Sequence, residues 1–132
     1  MNRKSKGYLL IVAVFCAFGL FIYGAYSPAR KALKQQIFCV KFKNSTEKEA
    51  VERHMHAFAA LKRETKAIVN YSAGRTIEPA GRSGSYDVVH YLTFQTEDDM
   101  KNFQQSAPFK TFKAENEAAW ENILVINADI QQ

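Results

Sequence analysis

The sequence has few of the residues on which many small proteins depend for stability or chemistry: two cysteines, three prolines and six glycines among 132 residues. Cys16 lies inside a long apolar run and Cys39 in a predicted buried strand, so we expect no disulfide and interpret Cys39 as a small core residue. The glycines form neither a phosphate-binding loop nor a G-x-S-x-G nucleophile elbow. These absences argue against a disulfide scaffold, a P-loop nucleotide-binding protein and a serine hydrolase of that type.

The composition is that of a globular protein. Hydrophobic residues make up 47% of the chain and charged residues 23%, which excludes a disordered or collagen-like chain. The length suits one domain. The net charge of +5 would suggest an anionic partner, but its distribution decides what it means.

The longest uncharged run covers residues 7–26, GYLLIVAVFCAFGLFIYGAY, after a basic segment at residues 1–6. As a helix, 20 residues span roughly 30 Å, the thickness of a bilayer's hydrocarbon core. We interpret residues 7–26 as a transmembrane anchor. The alternative is a signal peptide that is cleaved to release a secreted domain, but the only small-x-small site, at residues 27–29, contains Pro28.

Basic residues flank the apolar run on both sides, so the positive-inside rule gives nearly a tie. The signal-like order of a basic segment followed by an apolar run favours a cytoplasmic N-terminus. It places the domain on the non-cytoplasmic side, in the cell envelope or periplasm. Residues 27–36 are interpreted as a linker, broken from the membrane helix by Pro28.

Residues 37–132 show the periodicity of a βαββαβ domain. Short β-branched and aromatic runs alternate with segments whose apolar residues recur at helical spacing. Thr46-Glu-Lys-Glu49 and Thr96-Glu-Asp-Asp99 look like helix-capping sequences. We predict strands at residues 37–43, 68–77, 85–94 and 123–130, a loop at 78–84, and helices at 47–66 and from 97, where Pro108 separates a further helix ending near 120.

Two of the predicted strands are apolar on both faces. In the third strand, Val89 and Tyr91 face away from the side that carries Tyr86, Val88, His90, Leu92 and Phe94, and residues 123–126 are all apolar. A sheet with one wet face should alternate between apolar and polar residues. Either the sheet is well buried, or its second face packs against another protomer. We favour a homodimer, because a domain of about 96 residues buries a modest share of its surface alone.

The order and spacing of several segments resemble the stress-responsive dimeric α/β-barrel (Dabb) family over residues 36–130. The strongest segments are Lys41-Phe42-Lys43, the Gly-Ser-Tyr-Asp start of the strand that ends at Phe94, and Phe103-x-x-Ser-Ala-Pro-Phe-x-x-Phe112. The resemblance implies an α+β ferredoxin-like fold, with helices on one face of an antiparallel sheet that pairs with a second copy into a barrel.

The resemblance also implies where catalytic residues would lie. In enzymatic relatives that cyclise polyketides, the last segment carries a general-base His and a substrate-orienting Tyr. Here those positions are Phe109 and Phe103, the motif's first His is Ser106, and the His that often opens strand one is Gln36. A phenyl ring can neither accept a proton nor donate a hydroxyl hydrogen bond. We therefore expect no catalytic residue, with one alternative: a cofactor-free cyclase or monooxygenase acting on a hydrophobic substrate, with its chemistry relocated to His90.

No metal or cofactor site is expected. His54 and His56 are two residues apart on a helix and point roughly 200° from each other, so one ion could not bind both. His90 is the only residue that could serve as an axial ligand for haem, and a lone His on an apolar strand is more often packed and hydrogen-bonded.

Aromatic residues define the candidate ligand site, which would accept a small, flat, hydrophobic molecule between the helices and the sheet. The alternative is that these rings fill the core. The candidates are Phe38, Phe58, His90, Phe103, Phe109, Phe112 and Trp120.

The distribution of charge along the sequence argues against nucleic acid as a partner. Residues 1–36 hold six basic and no acidic side chains, whereas residues 37–132 hold 12 basic and 13 acidic ones. The basic character therefore belongs to the membrane segment and its flanks, where cations suit anionic lipid head groups. The sequence predicts a membrane-anchored, homodimeric, non-catalytic domain that binds a small hydrophobic ligand or has a structural role.

Overall fold

A computed structural model describes residues 30–77 and 85–131. The predicted anchor at residues 7–26, the first three residues of the predicted linker (27–29) and the predicted loop at residues 78–84 lie outside the described residues. No helix in the described part of the chain is long and apolar enough to span a membrane.

Four strands and three helices follow one another in the predicted order. The strands are β1 (Lys34–Phe42), β2 (Ile68–Arg75), β3 (Val88–Phe94) and β4 (Trp120–Asp129). The helices are α1 (Lys48–Glu64), α2 (Glu97–Gln104) and α3 (Ala107–Asn116), and a 3-10 turn, Glu117–Ala119, leads into β4. The strands form one antiparallel sheet in the order β2-β3-β1-β4 with the helices on one face. The predicted ferredoxin-like α+β fold is confirmed.

The register of the sheet defines two faces. Phe38 pairs with His90 on one side and Val125 on the other, and Phe38 contacts Phe58 of α1, so these positions lie on the helix side. The next residue, Cys39, pairs with Val89 and Leu124 on the opposite side. The predicted division is correct for Val88, His90, Leu92 and Phe94, which are buried against the helices. It was wrong for Tyr86, because β3 begins only at Val88 and Tyr86 is partly exposed.

Some predicted boundaries were wrong. Strand β1 begins at Lys34, so the last three residues of the predicted linker belong to the sheet, where Lys34 pairs with Asp129 by backbone register and by an ion pair. Trp120, predicted to end a helix, instead begins β4, because the chain leaves α3 through the 3-10 turn. Pro108 lies in the first turn of α3, where its missing N–H costs no hydrogen bond.

The two predicted helix caps differ. The Thr96 side chain accepts a hydrogen bond from Asp99 N–H at 3.1 Å, which caps α2 as predicted. The prediction for Thr46 was wrong: α1 has Glu47 at its N-cap, with no side-chain cap. The Thr46 hydroxyl instead donates to Ala119 C=O at 3.4 Å, since the turn before β4 passes close to it.

Candidate functional site

The seven predicted ligand-site residues lie together in the core and contact one another. We call them the ring cluster: Phe38, Phe58, His90, Phe103, Phe109, Phe112 and Trp120. Phe38 lies at its centre, with ring centroids 5.5 Å from Phe58, 6.2 Å from Phe109 and 5.8 Å from Trp120. Phe103 joins the cluster through Phe109 at 4.9 Å. All seven are buried.

The periodicity of the strands and of α1 places these side chains on the faces that point into the core. Strand alternation places Phe38 and His90 on the helix side of β1 and β3. On α1, residues four and three apart share a face, which turns His54, Phe58 and Leu61 toward the sheet, and all three are buried. The prediction that His54 and His56 diverge is confirmed, because His56 on the same helix is exposed.

A chain of hydrogen bonds crosses the ring cluster. We call it the histidine chain: Trp120, His54, His90 and Tyr71. Trp120 Nε1–H donates to His54 Nδ1 at 3.3 Å, His54 Nε2 lies 2.9 Å from His90 Nε2, and His90 Nδ1 lies 2.8 Å from Tyr71 Oη. The chain joins β4, α1, β3 and β2 through side chains alone. The sequence prediction included His90 and Trp120 but missed His54 and Tyr71 as members of the site.

The donor at one end fixes the direction of every bond in the histidine chain. An indole nitrogen can only donate, so His54 Nδ1 must accept and His54 must carry its hydrogen on Nε2. That hydrogen points at His90 Nε2, which accepts, so a neutral His90 carries its hydrogen on Nδ1 and donates to Tyr71 Oη. The Tyr71 hydroxyl hydrogen is then free to point elsewhere. These tautomers are inferred from the hydrogen-bond pattern.

Both histidines are neutral at physiological pH. Burial lowers the pKa of His54 to about 4, and burial together with the neighbouring His54 lowers the pKa of His90 to about 3. Burial also raises the pKa of Tyr71 to about 12, so its hydroxyl stays protonated. An apolar, ring-lined surrounding disfavours the charged form of each group. The histidine chain is therefore a neutral structure, and His90 is a poor base.

Stacking holds His90 in its orientation. Its ring lies 3.7 Å from that of Phe58 with an angle of 6° between the planes, and Tyr71 lies nearly parallel to Phe58 at 5.6 Å. His90 is fully buried, and both of its nitrogens are engaged by Tyr71 and His54. The sequence-based interpretation of His90 as a packed, hydrogen-bonded histidine is confirmed. In this arrangement His90 offers no free nitrogen to a substrate.

The residues at the family's catalytic positions have structural roles here. Ser106 caps α3: its hydroxyl oxygen accepts from Phe109 N–H at 3.4 Å and its hydroxyl donates to Phe103 C=O at 2.6 Å. Gln36 is buried and its side-chain amide donates to the Asn127 side chain at 3.0 Å. Phe103 and Phe109 belong to the ring cluster. These four residues provide packing and hydrogen bonds within the fold.

Within residues 30–77 and 85–131, no group of three or more His, Cys, Asp or Glu side chains is arranged to hold a metal ion. The histidine pair itself is poorly suited to one. In the neutral tautomer that Trp120 imposes, His54 Nε2 carries a hydrogen and cannot bind a metal. A metal between the two Nε2 atoms would first require the Trp120 bond to break.

The second face of the sheet is apolar and uncovered. We call it the open sheet face: Ile37, Cys39, Val89, Tyr91, Leu124 and Ile126. Tyr91, Leu124 and Ile126 are each 40–43% exposed, whereas their neighbours on the helix side of β1 and β3 are buried. Cys39 on this face is buried, and burial raises the pKa of its thiol.

Solved structures of known proteins share this fold at low sequence identity. A hydroxynitrile lyase from Passiflora edulis is 21% identical, with a TM-score of 0.68 over 76% of this chain and 95% of its own. A protein from Thermobifida fusca described as dimeric, ferredoxin-like and of unknown function is 14% identical, with a TM-score of 0.65 over 79% of this chain and 97% of its own. A Dabb protein from Mesorhizobium loti is 11% identical, with a TM-score of 0.64 over 77% and 100%.

None of the curated proteins matches the sequence. The sequence model of one family does match, and it covers residues 35–130, nearly all of the described domain. Neighbours described as dimeric and ferredoxin-like also come from Bacteroides fragilis and a Jannaschia species. The match over the whole domain, together with the fold, shows that this chain belongs to the Stress responsive A/B Barrel Domain (Dabb) family.

Proposed function

We propose that this chain is a membrane-anchored, non-catalytic Dabb domain that forms a homodimer through its open sheet face and binds a small hydrophobic ligand. The observation that carries the proposal is the open sheet face itself. Three of its six side chains, Tyr91, Leu124 and Ile126, are 40–43% exposed in the single chain. A sheet face in contact with water normally carries polar residues instead.

A second copy of the chain is the occupant that fits this face. A two-fold dimer uses the same patch on both subunits, so an apolar sheet face is complementary to itself. Several structural neighbours are described as dimeric. Their similarity to this chain supports the same mode of assembly here, although identities of 14–16% establish the fold alone.

Two observations favour a role without catalysis. In the polyketide-cyclising relatives within the family, two positions carry the general base and the orienting Tyr. In this chain those positions are Phe109 and Phe103, both buried in the ring cluster. The alternative centre, His90, has both nitrogens engaged and a pKa lowered to about 3 by burial and by His54. A general base works best with a pKa near the working pH.

Sequence supports the anchor, and the ring cluster supports the ligand. Residues 7–26 are uncharged and long enough to cross a bilayer, and the described domain begins only a few residues later, at Arg30. The ring cluster supplies aromatic surface of the kind that binds flat apolar molecules. Because its rings contact one another, a ligand would have to move at least one of them.

The dimer can be tested with two neighbouring residues of β4. Leu124 lies on the open sheet face, whereas Ile123 pairs with Val40 on the helix side, and the two are 41% and 37% exposed. We expect light scattering on the full chain in detergent to give a dimer. Leu124→Glu should raise the dimer dissociation constant at least about 100-fold, because each of two copies loses roughly 1.5 kcal/mol or more of apolar burial.

Ile123→Glu is the matched control, since it places the same charge on the same strand but on the other face. It should remain dimeric. A monomeric full chain at high micromolar concentration would contradict the homodimer. Equal dissociation of the two variants would contradict the open sheet face as the interface.

A further inference from the structure

Trp120 lies between the other six residues of the ring cluster and a cavity at the protein surface. On its inner side the indole lies 5.8 Å from Phe38, 5.8 Å from His54 and 5.9 Å from Phe112. On its outer side is a surface cavity of about 370 Å³, which it lines with Lys113, Glu117, Glu121, Asn122 and Ile123. Trp120 therefore contacts the buried rings and also borders solvent.

One hydrogen bond helps to hold the indole in this position. Trp120 Nε1–H donates to His54 Nδ1 at 3.3 Å, the longest of the three contacts of the histidine chain. Trp120 also stands at the start of β4, directly after the 3-10 turn. Besides the ring contacts, this hydrogen bond stabilises the inward orientation of the indole, and it requires a free lone pair on His54 Nδ1.

The histidine chain has room for one hydrogen in each contact and no more. Trp120, His54 and His90 each supply one, so all three contacts are satisfied when both imidazoles are neutral. A further proton on either ring must make two N–H groups face each other. The arrangement that keeps the shorter His54–His90 bond at 2.9 Å places the new hydrogen on His54 Nδ1, opposite the indole N–H. The bond to Trp120 is then lost.

We propose that Trp120 is an acid-released gate: one proton taken up by the His54–His90 pair breaks the Trp120–His54 bond and frees the indole to swing into the surface cavity. The ring cluster then opens to that cavity. Entry of a small apolar ligand through this opening rests on the proposed function. The release of Trp120 does not rest on that function, and it can be measured by itself.

The groups that surround the pair leave few other sources of pH dependence. The side chains that contact the pair come from β1, α1, α3, β2 and β4 and carry no charge: Phe38, Phe42, Phe58, Phe112, Tyr71 and Trp120. Charged groups face Trp120 from the outer side, where Lys113, Glu117 and Glu121 line the cavity. The two glutamates are therefore the groups that a control must remove.

Trp120 reports on its own release because it is the only tryptophan in the sequence. The experiment is acrylamide quenching of its fluorescence in the full chain, in detergent, from pH 7.5 to pH 3.5. We expect the quenching constant to rise at least threefold on acidification, reversibly and at a pH above that at which the far-ultraviolet circular dichroism of the sheet is lost. A quenching constant that does not change, or that changes only together with loss of the sheet, would overturn the proposal.

Three variants assign the transition. His56→Gln and the double variant Glu117→Gln/Glu121→Gln should keep it, because these side chains lie outside the histidine chain. His54→Phe should abolish the transition, because this variant already lacks the acceptor for the Trp120 N–H at neutral pH. A transition that persists in His54→Phe, or that disappears in the glutamate variant, would also overturn the proposal.

If His54→Phe does not fold, the native protein still decides the question. Nitrogen-15 spectra of the imidazole rings should show hydrogen on Nε2 of His54 and on Nδ1 of His90 at neutral pH. Acidification should add hydrogen to His54 Nδ1 over the same pH range as the change in quenching. Hydrogen on His54 Nδ1 already at neutral pH would rule out the bond on which the gate depends.

Discussion

His54 and His90 are polar side chains that are almost fully buried among aromatic rings. Their relative exposures are 1% and 0%, and each of their four ring nitrogens has a partner. An unpaired polar group in such surroundings would cost on the order of 1–3 kcal/mol. The complete pairing explains how α1 can hold a histidine against the sheet. It also makes the pair sensitive to any change in proton number.

Acid should therefore destabilise the fold through these two residues. The pKa values of His54 and His90 in the folded protein, about 4 and about 3, lie below the usual value of 6.5, so the unfolded chain takes up protons first. Their contribution to stability is complete above pH 6.5 and is lost as the pH falls toward 4. Each histidine should remove about 1.4 kcal/mol of unfolding free energy per pH unit within that range.

Urea unfolding of the full chain at pH 7.0, 6.0 and 5.0 measures this slope. His56→Gln should leave it unchanged, whereas His54→Phe should roughly halve it, because one of the two buried imidazoles is gone. An unfolding free energy that is constant between pH 7 and pH 5 would show that the pair is not buried in neutral form.

The burial of His90 was predictable from the sequence, because His90 shares one face of its strand with apolar residues that must face the core. His54 carried the same kind of signal, since it lies four residues before Phe58 and seven before Leu61 on one helix face. That signal does not identify His90 as the partner of His54, because this contact depends on how α1 packs on the sheet. Tyr71 could not be placed from sequence, because its bond to His90 depends on the register of β2 against β3, which shifts between Ile68 and Asn70.

At the scale of elements, two similar sequences give different helix starts. Thr96 and Thr46 are each followed by acidic residues in the pattern of a cap, yet only Thr96 caps its helix. The difference comes from tertiary contact: the turn before β4 brings Ala119 C=O within reach of the Thr46 hydroxyl. A local pattern cannot report a competitor that lies 73 residues away in the chain.

The caps predict unequal effects of the same substitution. Thr96→Ala removes the acceptor for Asp99 N–H and should lower the unfolding free energy by about 1 kcal/mol. Thr46→Ala removes only a long hydrogen bond of 3.4 Å and should cost less than half as much. Urea unfolding of the two variants at pH 7 gives the comparison. Equal losses would mean that Thr46 caps α1 in solution.

For the molecule as a whole, the order of elements was predictable because each strand and helix carries its own periodicity. The start of β4 was not, since Trp120 continues the apolar spacing of the preceding helix and the 3-10 turn between them has no sequence signal of its own. The open sheet face was visible in the sequence as strands with two apolar faces. The family match over residues 35–130 then supports the same architecture independently of periodicity.

The proposed membrane anchor would favour the proposed dimer. All six basic residues of positions 1–36 lie beside or near the apolar run, while residues 37–132 are nearly neutral. Two anchored protomers in one bilayer would meet at a higher effective concentration than free ones, which favours pairing of their open sheet faces. Anchoring would thus allow a modest interface to stay occupied.

The proposed orientation can be tested with alkaline phosphatase fused after the last residue and expressed in a bacterium. The enzyme needs disulfides that form outside the cytoplasm, so a domain on the non-cytoplasmic side should make the fusion active. The same fusion without residues 1–26 is the control and should be inactive.

Activity that remains in the membrane pellet after an alkaline carbonate wash would support the anchor, whereas activity in the soluble fraction with a shortened chain would indicate signal cleavage. An intact but inactive membrane-bound fusion would reverse the orientation, placing the domain in the cytoplasm.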